Sequence, residues 1–283
     1  MAKYRDHLPQ LADDFFITDG GLETTLVFHL GLELPDFAAF DLLKDGSGRE
    51  TLREYFRSYA TIAKTHGLGF ILESPTWRAN ADWGTKQGHS ESKLAEINRA
   101  AIALLEGIRA ELESNKTPMV ISGCIGPRGD GYVPGTAMSA DAAQSYHLKQ
   151  IQTFKDTAAD LVAATTMNYV DEAIGISQAA KSIEMPVVIS FTVETDGKLP
   201  TGQSLKEAIT TVDAATNNAP AYYMINCAHP THFADVLIGE ETWLNRIAGV
   251  RANSSVRSHA ELNESTTLDE GNPVLFGAQH KLL

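Results

Sequence analysis

The chain has 283 residues, 43% hydrophobic and 21% charged, which is enough apolar material for one large α/β domain or two small ones and too much for a disordered chain. Lys and Arg number 23 against 36 Asp and Glu, a formal charge of -13. That balance gives no basic face for nucleic acid or an anionic membrane and leaves a small molecule as the expected partner.

Short β-rich runs alternate with longer helical patterns along the chain. Strands are expected at 15–21 (FFITDGG) and 68–77 (LGFILESPTW). A helix follows at 90–114, where Leu94, Ile97, Ala101, Leu104, Ile108 and Leu112 make one apolar stripe and Ser90 or Ser92 can cap the start. Next come a strand at 118–126 (PMVISGCIG), a helix at 141–160 and a strand at 160–167 (DLVAATTM). A strand at 186–194 (PVVISFTVE), a helix at 204–218 and strands at 221–228 (AYYMINCA) and 246–255 (RIAGVRANSS) complete the series. The strand cores are near-continuous apolar runs, the pattern of strands buried on both faces of a parallel sheet.

No proline- or serine-rich linker and no shift in composition divides residues 1–283, which predicts a single domain. Alternating β and α units fit either a doubly wound sheet or a (β/α)8 TIM barrel. Polar clusters close nearly every strand: Asp19 and Glu23; Glu73 and Arg78; Arg128 and Asp130; Thr165 and Asn168; Glu194 and Asp196; Asn226, Cys227 and His229; Arg251 and Asn253. A barrel gathers all its strand ends at one active mouth, whereas an open sheet uses only those near a switch point. No Gly-x-Gly-x-x-Gly follows the first strand, so the barrel is favoured. Seven strands are found where eight are needed, so the eighth is expected to be missing from this chain. Unpaired edges of that kind also make a homo-oligomer an expected arrangement.

The first residues, MAKYRDHLPQLADD, lack the apolar core of a secretory signal. No run approaches the roughly 18 apolar residues of a membrane span. Two cysteines make no disulfide framework. The expectation is a cytoplasmic protein with free thiols.

Two segments stand out chemically. In DGGLETTL (19–26), Asp19 can hold an ammonium while the Gly20 and Gly21 N–H groups can hold a carboxylate, a set suited to an α-amino-acid head group; a plain βα turn needing positive φ would read the same way. In MINCAHP (224–230), Cys227 closes a strand beside His229, with His232 three residues on. A thiolate there would suit zinc given partners, and a local Cys-x-His-x-x-His site is one arrangement of them; simple packing is the other reading. Cys124 reads as a small buried hydrophobe.

DGGLETTL, GCIGPRGDGY, PVVISFTVETDGKLPTGQSL, MINCAHPTHF and GVRANSS occur in the order seen in the homocysteine S-methyltransferase family, and the chain resembles that family over nearly its whole length. The resemblance implies a (β/α)8 barrel that moves a methyl group from a donor such as S-methylmethionine, betaine or a methylfolate to homocysteine, giving methionine. It implies Zn2+ held by three cysteines, one in an Asn-Cys after strand six and two in a Gly-Gly-Cys-Cys after strand eight. Asn226-Cys227 matches the first, so Cys227 is the expected metal ligand and catalytic thiolate. The second pair would lie beyond Leu283, so the zinc site is expected to be incomplete here and this chain inactive for want of two zinc cysteines. A free alkyl thiol such as that of homocysteine has a pKa of about 8.5, and zinc held by the cysteines would deprotonate it so that its sulfur attacks the donor methyl. By the same resemblance Asp19 takes the homocysteine ammonium and the Gly20 and Gly21 amides its carboxylate. Thr165 stands where many relatives carry a Glu, and Asn253 matches an Asn after strand seven. Two readings compete: a zinc-free pseudo-enzyme or amino-acid-binding barrel, and a metal-dependent hydrolase using Cys227, His229 and His232.

Overall fold

The apolar runs become strands in the computed structural model, which describes residues 1–12 and 14–283. Among the described residues these are β1 (Phe16–Thr18), β2 (Gly69–Glu73), β3 (Met119–Ile125), β4 (Leu161–Met167), β5 (Val187–Phe191), β6 (Tyr222–Asn226) and β7 (Ile247–Arg251). Their hydrogen-bonding order is β1-β2-β3-β4-β5-β6-β7. Parallel strands in sequence order with helical crossovers are the topology of a (β/α)8 barrel, here with one strand fewer than eight. Each strand is shorter than its run in the sequence; in β2, β5, β6 and β7 most of the loss is at the C-terminal end, where polar residues such as Glu194, His229 and Asn253 lie beyond the ladder.

Burial follows strand position. Every residue of β2, β3, β4 and β5 is buried. β1 is only half-buried, and β7 exposes Ala248. A strand with one neighbour buries less, so β1 and β7 show the partial exposure of edges.

The helical elements are α1 (Leu22–Thr24), α2 (Gly46–His66), α3 (Ala81–Lys86), α4 (Glu91–Leu112), α5 (Ala140–Lys155), α6 (Val170–Ser182), α7 (Leu205–Thr216), α8 (Pro230–Phe233), α9 (His259–Glu264) and α10 (Pro273–His280). α4 starts on Ser90, whose side chain accepts from the Lys93 N–H, and its Leu94, Ile97, Ala101, Leu104 and Ile108 are buried. Each such Leu or Ile contributes about 1.5–3 kcal/mol on leaving water. α2 and α6 are not among the helices expected from the sequence. α2 is capped by Asp45, buries Leu52, Tyr55, Phe56, Ala60 and Ala63, and stops at Gly67, whose φ of 63° is left-handed. Gly46 and Gly48 in its first turn lower its intrinsic propensity; packing overrides that. Among the described residues no helix is long and apolar enough to cross a membrane.

The chain falls into two compact units. One comprises Met1–Arg128, Ser145–Ala163 and Ala179–Pro186, and the other Gly129–Gln144, Ala164–Gln178 and Val187–Leu283. In the first, β1 pairs with β2 and β2 with β3. In the second, β5 pairs with β6 and β6 with β7, with a register shift at Tyr223/Met224.

Candidate active site

The second unit builds its polar centre where β6 ends. Asn226 is buried, and its side chain uses all its hydrogen-bonding capacity. Its Oδ1 accepts from the Thr166 N–H at 2.9 Å and from Ser190 Oγ at 2.6 Å. Its Nδ2 donates to Thr166 Oγ1 at 2.9 Å and to Cys227 Sγ at 3.1 Å. The orientation of the amide is fixed because the Thr166 N–H can only donate. Thr166 Oγ1 also lies 4.0 Å from the sulfur. Cys227 is half-buried, and its thiol faces an amide and a hydroxyl.

Cys227 and Thr166 both sit in the left-handed backbone region, at φ 58° and 61°. A residue with a Cβ carries a cost of about 1–3 kcal/mol there and persists only where its surroundings hold it. For Cys227 the holding contacts are numerous. Its N–H donates to the Arg251 carbonyl at 3.1 Å. Its own carbonyl accepts from Asn253 Nδ2 at 3.0 Å and from His259 Nε2 at 2.7 Å. The Asn253 N–H donates to the Ala228 carbonyl, so Asn253 clamps the turn from both ends.

Sequence reasoning missed His259. It is buried in the first turn of α9, which opens with a capping box of Ser258 and Glu261. Its Nδ1 lies 3.1 Å from Glu194 Oε1, and Thr192 Oγ1 is 3.4 Å from its Nε2. The ring stacks on Tyr132 with centroids 4.2 Å apart. Tyr132 belongs to the glycine-rich loop after β3, which Asn168 Nδ2 also ties down by donating to the carbonyls of Asp130 and Gly131. The Ser-x-x-Glu pattern at 258–261 was the available signal for this helix start.

In the first unit, Asp19 follows β1 and is buried, with Oδ2 accepting from the Tyr55 hydroxyl at 3.0 Å. Neither Gly20 nor Gly21 has positive φ, so the turn reading does not explain them. Gly20 is glycine for space: a Cβ there would lie 2.5 Å from the Tyr59 hydroxyl oxygen. Gly21 precedes the first turn of α1. Thr165 is buried in β4 of the second unit; the neighbour that meets Asn226 and Cys227 is Thr166. Cys124 is buried within β3, its N–H donating to Ser74 Oγ.

The histidines near Cys227 are otherwise engaged. His229 caps α8 through its Nδ1, which accepts from the Thr231 N–H at 3.3 Å. Burial, with repulsion from His232 and His280, pushes His229 below the ordinary imidazole value. His232 Nε2 lies 3.0 Å from the Val256 carbonyl oxygen. Among the described residues no group of three His, Cys, Asp or Glu could hold a metal ion. Three thiolates are what the resemblance asks of a zinc site, and the second unit offers the one thiol of Cys227. The donors present therefore do not complete that site.

A family model described as homocysteine S-methyltransferase matches residues 16–272. Homocysteine S-methyltransferase 1 of Brassica oleracea var. italica is 24% identical over 238 residues, spanning 78% of this chain and 71% of that protein. Among solved structures, the metallated form of the homocysteine methyltransferase MmuM from Escherichia coli aligns with a TM-score of 0.65 at 18% identity, over 80% of this chain and 78% of that one. Its oxidised form gives 0.66 at 18% identity, over 81% and 79%. At such identity the structural likeness speaks for the fold alone. The family match spans most of the chain and includes the β6 end that carries Asn226 and Cys227, and by it the chain is an enzyme of the homocysteine S-methyltransferase family.

Proposed function

We propose that the chain transfers a methyl group from a small donor to the sulfur of homocysteine, giving methionine. The new S–CH3 bond forms as the donor's bond to that carbon breaks, and the thiol proton of homocysteine is lost. With S-methylmethionine or betaine as donor, the cationic sulfur or nitrogen centre leaves as a neutral sulfide or tertiary amine. The observation that carries this reading is the match over residues 16–272, with Cys227 held among polar partners at the end of β6.

Within this reading Asp19 binds the homocysteine ammonium, the Gly20 and Gly21 amides its carboxylate, and Thr165 and Asn253 flank the substrate. Burial of Asp19 supports its part, since a carboxylate out of water binds a cation strongly. Cys227 would be one thiolate ligand of Zn2+; no step is assigned to that metal, because the described residues do not supply its other donors. The acidic charge and free thiols support a cytoplasmic setting, the edge character of β1 and β7 supports a homo-oligomer, and the continuous βα alternation supports one functional domain over residues 1–283.

The test is methionine formation from homocysteine with S-methylmethionine and with betaine, using Cys227→Ser as control. Turnover that survives Cys227→Ser removes the thiolate role. A second reading, a zinc-free amino-acid-binding barrel, is favoured by the single thiol at the site. Homocysteine binding seen by calorimetry, with no zinc by elemental analysis and no methionine formed, would select it.

A further inference from the structure

We propose that His259 is a positioning residue that holds the Cys227 peptide in its left-handed turn and thereby aims the sulfur. Its kinetic consequence rests on the methyl-transfer reading; its structural consequence does not. The Cys227 carbonyl can only accept, so the 2.7 Å contact places a proton on His259 Nε2. Glu194, 3.1 Å from Nδ1, sets the rotation of the ring, and Tyr132 stacks on its face. His259 thus connects three loops, those after β3, β5 and β6, to one peptide group. That peptide carries a φ of 58°, which a cysteine does not hold by its own preference. If it relaxed, Sγ would swing away from the Asn226 amide, 3.1 Å off, and from Thr166 Oγ1, 4.0 Å off, and lose its fixed place at the end of β6.

The test exploits the two ends of the ring. In His259→Gln the side-chain amide reaches the place of Nε2 and keeps a donor for the Cys227 carbonyl. In His259→Asn the amide reaches only the place of Nδ1, and in His259→Ala there is no donor. The first measurement is the rate at which iodoacetamide alkylates Cys227, read by peptide mass spectrometry, with buried Cys124 as the internal gauge of folding. The alkylation rate of Cys227 should change about tenfold in His259→Ala and His259→Asn and return to within about threefold of the parent in His259→Gln. In the methyl-transfer assay kcat should follow the same order by about tenfold, with the KM for homocysteine within about threefold.

The inference is overturned if His259→Gln behaves as His259→Asn does, or if all three variants match the parent. Should His259→Ala label Cys124 and so prove unfolded, the Gln and Asn pair decides alone. Graded alkylation without any methyl transfer by the parent leaves the positioning role standing and removes the methyl-transfer reading. Normal turnover by His259→Asn removes the positioning role and leaves that reading standing.

Discussion

Asn226 Nδ2 stands 3.1 Å from Cys227 Sγ, and the same side chain grips Thr166 by both its N–H and its hydroxyl. One amide thus joins the ends of β4 and β6, and through Ser190 it reaches β5. Thr166 and Cys227, which it touches at the ends of β4 and β6, both have left-handed backbone. Asn226→Asp keeps the oxygen that serves Thr166 and Ser190 and replaces the donor with an oxygen aimed at the sulfur. We expect kcat/KM to fall at least about tenfold. Asn226→Ala also strands the buried Thr166 N–H and should cost about 1–3 kcal/mol by urea denaturation. Full activity in the Asp variant would show that the amide donor is idle.

The backbone at Cys227 makes a separate, purely structural prediction. At φ 58° a glycine is unstrained, whereas alanine carries the same Cβ as cysteine. Cys227→Gly should therefore be more stable than Cys227→Ala by about 1 kcal/mol, and neither should transfer methyl groups. Equal urea midpoints with equal slopes for the two variants would show that this turn holds no strain.

Strand positions were legible in the sequence because buried parallel strands are continuous apolar runs with punctuated ends, and each of the seven appears within its expected span. α2 was not, because Gly46 and Gly48 mask its start while Asp45 and its apolar face supply the stability. Cys227 was legible as a polar end to a strand. Its φ of 58° was not, since left-handed cysteine is imposed by Arg251, Asn253 and His259 from later in the chain. His259 was invisible for the same reason: its meaning lies in contacts with Glu194 and Tyr132, 65 residues and more away in sequence. The glycines of DGG read as a turn requirement or a ligand cradle, and neither reading foresaw that Tyr59 leaves Gly20 no room for a Cβ.

That crowding is testable. Gly20→Ala would place a methyl 2.5 Å from the Tyr59 hydroxyl oxygen and 3.2 Å from the ring carbon bearing it. A rigid ring yields poorly, so the variant should lose about 1–3 kcal/mol and, on the role proposed for the neighbouring Asp19, raise the KM for homocysteine. Adding Tyr59→Phe removes the nearer atom and should return part of the stability. The double-mutant cycle checks it: strictly additive losses would mean that the two residues do not press on each other.

The N-terminal segment is held by charge, and its acid sensitivity follows. The Lys3 and Tyr4 N–H groups donate to Asp160 Oδ1 at 2.7 and 2.8 Å. Glu113 accepts from Lys3 Nζ and the Tyr4 hydroxyl, both at 2.6 Å, and from the Met119 N–H at 3.0 Å. Burial alone would raise the Glu113 pKa, but the hydrogen bonds from Lys3, Tyr4 and Met119 outweigh it and hold the carboxyl below the usual glutamate range. A carboxyl with a folded pKa below its unfolded one stabilises the fold fully above the unfolded value, and the gain is lost as pH falls through the folded value. The parent should therefore lose Tm on acidification from about pH 6 to about pH 3 more steeply than Glu113→Gln, which has no proton to gain. Near neutral pH the Gln variant should be the less stable by about 1 kcal/mol, having traded charged hydrogen bonds for neutral ones. Parallel Tm curves for the two proteins across that range would show that Glu113 contributes nothing to the acid limb, and the N-terminal contacts would then rest on Asp160.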